Sequence, residues 1–202
     1  MNHGKLLILS APSGAGKSSL AKALAAEARD VAVSVSHTTR APRPDEVEGR
    51  DYYFVSPEQF DRMVKEDRFL EHARVFGNCY GTARESVEAL LRAGRNVVLD
   101  IDWQGARRIK ELMPEAVTVF VLPPSRDVLL QRLVGRGQDS PETIARRMRE
   151  ASSEMSHYGE FDHVVVNDDF AAALSDIRAI LQGSFGSVRP VSVDIPALLR
   201  EA

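Results

Sequence analysis

A short apolar run, Leu6-Leu7-Ile8-Leu9, leads into Ser10-Ala11-Pro12-Ser13-Gly14-Ala15-Gly16-Lys17-Ser18-Ser19, and an alanine-rich helical stretch follows at once. Glycines let the backbone wrap round phosphate oxygens, and the N–H groups and dipole at the helix start attract anions. Lys17 adds a reaching positive charge, and the Ser18 hydroxyl can ligate Mg²⁺. The pattern G-x-x-x-x-G-K-[ST] is met except at its first position, where this chain has Ala11. Such a loop needs a strand in front and a helix behind, which commits the chain to an α/β fold.

The rest of the chain supplies the partners for that strand. Apolar runs recur at Val97 to Leu99, Val117 to Leu122 and Val164 to Val166, and runs apolar on both faces suit a parallel sheet covered by helices on each side. The spacing predicts a helix opened by Ser125 with Val128, Leu129 and Leu133 inward, and another opened by Ser140-Pro141-Glu142 carrying Ile144, Met148 and Met155. The core reads as doubly wound.

Residues 36 to 93 read as an inserted α+β lobe. Aromatic and β-branched pieces, Tyr52 to Val55 and Phe69 to Phe76, alternate with turn-rich segments such as Arg40-Ala41-Pro42-Arg43-Pro44. Ser56-Pro57-Glu58-Gln59 predicts a capping box ahead of Phe60, Met63 and Val64. Thr82 with Glu85 predicts a second box, ahead of the stripe Val87, Leu90 and Leu91, with Gly94 at the helix end.

Composition limits the function classes. With 26 Lys+Arg against 29 Asp+Glu the formal net charge is −3, so no global field draws nucleic acid or an anionic membrane, and phosphate binding must be local. The single Cys79 cannot form an internal disulfide, and no apolar run approaches a membrane span, so the expectation is a cytoplasmic protein. No feature points to a particular oligomeric state.

Several further segments stand in a telling order: Ser36-His37-Thr38-Thr39-Arg40-Ala41-Pro42-Arg43-Pro44, Gly49-Arg50-Asp51-Tyr52-Tyr53-Phe54 and Gly77-Asn78-Cys79-Tyr80-Gly81-Thr82. They continue with Leu99-Asp100-Ile101-Asp102-Trp103-Gln104-Gly105, Gly135-Arg136-Gly137 and Val166-Asn167-Asp168-Asp169. With the phosphate loop, these segments resemble the guanylate kinase family, bacterial type, from about residue 6 to 182. The resemblance implies a P-loop nucleoside monophosphate kinase fold. Its parts would be a parallel-sheet nucleotide-binding core (1–35, 94–125 and 158–202), a GMP-binding lobe (36–93) and a helical lid (126–157). It implies phosphoryl transfer from ATP to GMP, and to dGMP, in purine nucleotide metabolism with Mg²⁺.

Residue by residue, the resemblance implies that Ala11, Pro12, Ser13, Gly14, Ala15, Gly16, Lys17, Ser18, Ser19 and Asn167 hold ATP. Arg40, Arg43, Tyr52 and Tyr80 would hold the phosphate of GMP, where guanidinium forks and phenol donors suit a dianion. Glu71, Ser36 and Thr82 would read the guanine, because a carboxylate can accept from N1–H and the exocyclic amino group together, which adenine cannot offer. Asp100, at a strand end, would stand near GMP and, through water, near the Mg²⁺ that Ser18 ligates, with Asp102 a weaker candidate. Between 126 and 150 six arginines face four acidic residues, and Arg136, Arg147 and Arg132 are assigned with Lys17 to the transferring phosphates. The acceptor is already an anion, so positioning and charge neutralisation do the chemistry and no general base is needed. The alternative is a guanylate-kinase-like module that binds partner proteins without catalysis, against which the intact Gly14, Gly16, Lys17 and Ser18 speak.

Overall fold

The computed structural model describes residues 3–75, 77–135 and 140–200. Its first strand, β1 (Leu6–Ser10), is buried along its whole length because both faces are covered. Leu7 and Leu9 point into one apolar cluster with α1 (Lys17–Glu27), while Leu6 and Ile8 point into another on the opposite face. Each fully buried leucine or isoleucine here contributes about 2 kcal/mol of transfer free energy, which is why this strand tolerates no polar residue until Ser10.

After α1 the chain runs through a short strand, β2 (Val31–Val33), and then leaves the core. The excursion forms a second sheet from β3 (His37–Thr38), β4 (Tyr53–Phe54), β5 (Phe69–Val75) and β6 (Asn78–Ala83), in the order β4-β3-β6-β5. Helix α2 (Pro57–Lys65) covers it, with Phe60 and Met63 packed on Phe69. The expected capping box is present: Ser56 Oγ accepts from Gln59 N and Gln59 Oε1 accepts from Ser56 N. Between Phe69 and Glu71 the register of β5 on β6 slips, so consecutive residues turn inward to different neighbours. Phe69 joins the small core under α2 and Leu70 joins the main core.

Helix α3 (Arg84–Arg92) brings the chain back, with Val87 and Leu91 packed on the core sheet. The second expected capping box does not form. Ala83 is the N-cap of α3, without a side-chain bond, because Thr82 is held in β6 and its hydroxyl is turned to a carboxylate. Gly94 follows the helix with φ 77, as a terminating glycine should.

The core is completed by β7 (Asn96–Asp100), α4 (Trp103–Leu112), β8 (Val117–Leu122), α5 (Arg126–Gly135), α6 (Pro141–Met155), β9 (His163–Val166), α7 (Phe170–Gln182) and α8 (Ile195–Leu199). Its five strands are all parallel in the order β2-β7-β1-β8-β9. Ser125 and Ser140 cap α5 and α6 as expected, each side chain accepting an N–H three residues on. Connections from β1 and β7 depart to opposite sides of the sheet. The crevice at their carboxyl ends is therefore where open α/β sheets hold ligands. Among the described residues no helix is long and apolar enough to cross a membrane.

Candidate functional site

The phosphate loop occupies that crevice. Gly14 and Gly16 have φ of 95 and 97, a left-handed backbone that suits glycine, and a Cβ on Gly14 would meet Leu129 at 3.0 Å. Gly16 is also the N-cap of α1 and offers no side-chain acceptor, so the amides of the first helical turn face the crevice without a capping side chain. Behind the loop, Asn167 is buried (3% exposed) and its Nδ2 donates to Ala15 O at 2.7 Å. Arg132 donates to Asn167 O at 2.9 Å and lies 3.5 Å from Ala15 O. Asn167 therefore does not cap the following helix, which Asp169 caps instead.

In front of the loop a cavity of about 340 Å³ joins core and lobe. Eight loop residues line it, Ala11, Pro12, Ser13, Gly14, Gly16, Lys17, Ser18 and Ser19, facing Ser36, Arg40, Arg43, Tyr52, Glu71, Tyr80, Asp100 and Arg147. Ala15, Thr82, Arg132 and Asn167 stand behind this lining, and Arg136 falls outside the described residues.

The lobe end of the cavity is organised by carboxylates. Arg40 donates to both oxygens of Glu46, at 2.8 and 2.9 Å, and the same carboxylate accepts from the backbone N of Arg43 at 2.9 Å. Arg40 lies over the ring of Tyr52 at 5.4 Å, and Tyr52 meets Tyr80 edge-on at 6.0 Å. Burial, with the neighbouring Asp100 charge, pushes the Tyr52 phenol up to about 12, so it remains a proton donor.

Glu71 stands deeper, 5% exposed, where the slipped register of β5 turns it toward α4. Thr82 Oγ1 donates to its Oε1 at 2.5 Å. Burial raises the Glu71 carboxyl to about 7, against the pull of the Thr82 hydroxyl. Thr82 thus acts on the carboxylate, an arrangement that its place in a helix-start pattern does not suggest.

At the loop end, Lys17 Nζ lies 2.8 Å from Asp100 Oδ1 and donates to Ile101 O at 2.8 Å. Asp102 is the N-cap of α4 and accepts from Gly105 N at 2.8 Å. Among the described residues no three His, Cys, Asp or Glu side chains converge to hold a metal ion alone. The oxygens of Ser18 and Asp100, which line the same cavity, fit a hard cation that keeps most of its waters and binds phosphate oxygens.

One charged residue of the cavity lining escaped sequence reasoning. Glu154, on α6, lines the site and accepts from Ser13 N at 3.2 Å, so α6 touches the phosphate loop directly. Burial pushes its carboxyl up to about 7, against the Ser13 N–H and Lys17. It follows the run Ala151-Ser152-Ser153, and nothing in that spacing distinguishes it from Glu150. Arg146, in contrast, forms an exposed pair with Glu150.

The chain is similar to known proteins over most of its length. A family model described as Guanylate kinase matches residues 3–184. The guanylate kinase of Methylococcus capsulatus is 59% identical over 182 residues, which cover 90% of this chain and 89% of that protein. The guanylate kinase of Escherichia coli strain K12 is 56% identical over 184 residues, with 90% and 89% covered. A crystal structure of guanylate kinase from Anaplasma phagocytophilum matches with a TM-score of 0.74 at 37% identity, covering 91% of this chain and 87% of that one.

Proposed function

This chain belongs to the guanylate kinase family, and from that premise we propose how its cleft divides the work between two nucleotides. The reaction is transfer of the γ-phosphoryl group of ATP to GMP, giving ADP and GDP. The triphosphate lies along Ala11 to Ser19 with Asn167 on its base side, and GMP lies in the lobe with its phosphate between Arg40, Arg43, Tyr52 and Tyr80. Glu71 accepts from guanine N1–H and the amino group, Thr82 orients that carboxylate, and Ser36 completes the base pocket.

The observation that supports this reading is one shared cavity, lined at one end by backbone and Lys17 and at the other by Arg40, Arg43 and a buried carboxylate. Two phosphates placed there meet end to end. Lys17 neutralises charge on the transferring group, Arg147 and Arg136 of the lid close on it, and Arg132 braces the loop from behind. Asp100 orients Lys17 and faces the acceptor phosphate. Ser18, with Asp100 through water, would hold Mg²⁺, which would supply charge neutralisation at the phosphate oxygens. Closure of the lobe (36–93) and the lid (126–157) over the core keeps water from the γ-phosphate. We place the reaction in cytoplasmic purine nucleotide metabolism, with dGMP as a second acceptor.

A partner-binding module without catalysis is not favoured, because the loop with Lys17 lines the cleft together with Arg40, Arg43 and Arg147. The deciding experiment is a coupled ADP-release assay with ATP/Mg²⁺ and GMP, dGMP, AMP, UMP or CMP. GMP and dGMP should be turned over, while AMP served as well as GMP would remove the carboxylate from base selection.

A further inference from the structure

We propose that Gly105 is a specificity-determining position, kept free of a side chain so that the Glu71 carboxylate can stand against the first turn of α4 and aim at the purine. The inference rests on the assignment of Glu71 to the guanine.

Gly105 is the third residue of α4, and its N–H is bonded to Asp102 Oδ1 at 2.8 Å. Glycine is a poor residue for that place, since alanine loses less chain entropy on entering a helix. Its φ is not positive, so backbone conformation does not call for glycine. Space does. A Cβ here would lie 2.8 Å from Glu71 Oε2 and 3.1 Å from Glu71 Cδ, with Ile101 Cδ1 next at 3.3 Å. The first atoms it meets are the far end of a flexible side chain, so the helix can keep its course while the carboxylate moves away.

Glu71 has little freedom to absorb that movement. Its Oε1 is held by Thr82 at 2.5 Å on one side, and its Oε2 closes on Gly105 from the other. Each oxygen keeps a lone pair for one donor of the guanine edge, and bidentate acceptance needs both oxygens in place. A methyl group on residue 105 pivots the fork about the Thr82 bond and spoils one of the two contacts. Gly105 is therefore a positioning residue that acts through Glu71, and its substitution should reach the base without disturbing the phosphate loop.

The test is the Gly105→Ala protein in steady-state kinetics with GMP, with IMP, which lacks the exocyclic amino group, and with ATP varied separately, together with its melting temperature. The expected result is a KM for GMP raised about tenfold, a smaller preference for GMP over IMP, a KM for ATP within about twofold of the parent, and melting unchanged or higher. An unchanged GMP KM and GMP/IMP ratio would overturn the proposal. So would equal weakening of ATP and GMP, or melting lowered by more than about 5 °C, since the methyl would then be pressing on the fold. A Glu71→Gln protein run alongside separates the two layers. If Glu71→Gln binds GMP normally, the base assignment itself fails; if it loses GMP while Gly105→Ala does not, only the role of Gly105 fails.

Discussion

Lys17 and Asp100 meet across the mouth of the phosphate loop, 2.8 Å apart, with both side chains largely shielded from solvent. The lysine is tied to the end of β7 by this pair and by its bond to Ile101 O, so its ammonium is aimed into the cavity before any nucleotide arrives. A preorganised charge of this kind acts on the transition state with little reorganisation. Lys17→Ala should lower kcat by roughly a hundredfold or more, checked in the coupled assay at saturating GMP. Turnover within about threefold of the parent would remove Lys17 from the transferring phosphates.

Glu46 is the carboxylate on which the proposed GMP-phosphate site depends. It joins the Arg40 guanidinium to the backbone of the Arg43 turn, and its carboxyl is held low by these partners against the opposing effect of burial. Without it Arg40 is free to sample other rotamers, and binding must then order a long side chain. Glu46→Ala should raise the KM for GMP about tenfold and leave the ranking of GMP over AMP and IMP intact, because the base pocket is untouched. Arg40→Ala should be more severe, about a hundredfold in kcat/KM for GMP. A change in base ranking with Glu46→Ala would show that the two halves of the GMP site are not separable.

Glu71 and Glu154 carry a pH signature. Both titrate at about 7 in the folded chain, mainly through burial, against a reference of 4.5. Between those pH values the folded state keeps protons that the unfolded chain has released, so these two groups make stability fall as pH rises from about 4.5 to about 7. His37, held low by burial, acts in the opposite sense below about 6.5, so the readout is a difference between proteins. The urea midpoint of Glu71→Gln/Glu154→Gln should decline less from pH 5 to pH 8 than that of the parent. Parallel curves for the two proteins would mean that neither carboxyl holds its proton near neutrality.

What the residues announced and what they hid differ by physical cause. Strands buried on both faces, the capped helices opened by Ser56, Ser125 and Ser140, and the loop from Ser10 to Ser19 are local patterns, and each appears where the spacing puts it. Ser36, Arg40, Arg43, Tyr52, Glu71, Tyr80, Asp100 and Arg147 carry no local signal that unites them; only the family resemblance links them in the sequence, and they share one cavity. Thr82 misled because a threonine three residues before Glu85 satisfies a capping pattern, while tertiary structure gives its hydroxyl a stronger acceptor in Glu71. Glu154 and Glu46 were invisible for the same reason: their partners, Ser13 N and the Arg40 fork, are set by folding rather than by spacing.

The segment beyond α7 offers a last prediction. It lies past residue 184, where the family match ends, yet it is tied into the core. Arg189 Nε donates to Asp176 Oδ2 at 2.7 Å, its backbone N donates to Asp176 Oδ1 at 3.0 Å, and its Nη2 donates to Val166 O at 3.2 Å. Asp176 is 4% exposed on α7, so its carboxylate is stranded if the guanidinium is removed. Further along, Leu198 fills the cluster around Phe120 and Met155, and Arg126 bonds both Ser152 and Leu198 O, which joins the segment to α5 and α6. Because Arg189 is itself partly exposed, the loss on Arg189→Ala should be moderate, about 1–3 kcal/mol, or roughly 5 °C in melting temperature. Asp176→Asn/Arg189→Ala should recover part of that loss, since the buried group is then neutral and can still accept the backbone N–H. Differential scanning calorimetry on both proteins decides it: equal losses, with no recovery in the pair, would mean that the segment contributes through packing of Leu198 and its neighbours and not through the carboxylate.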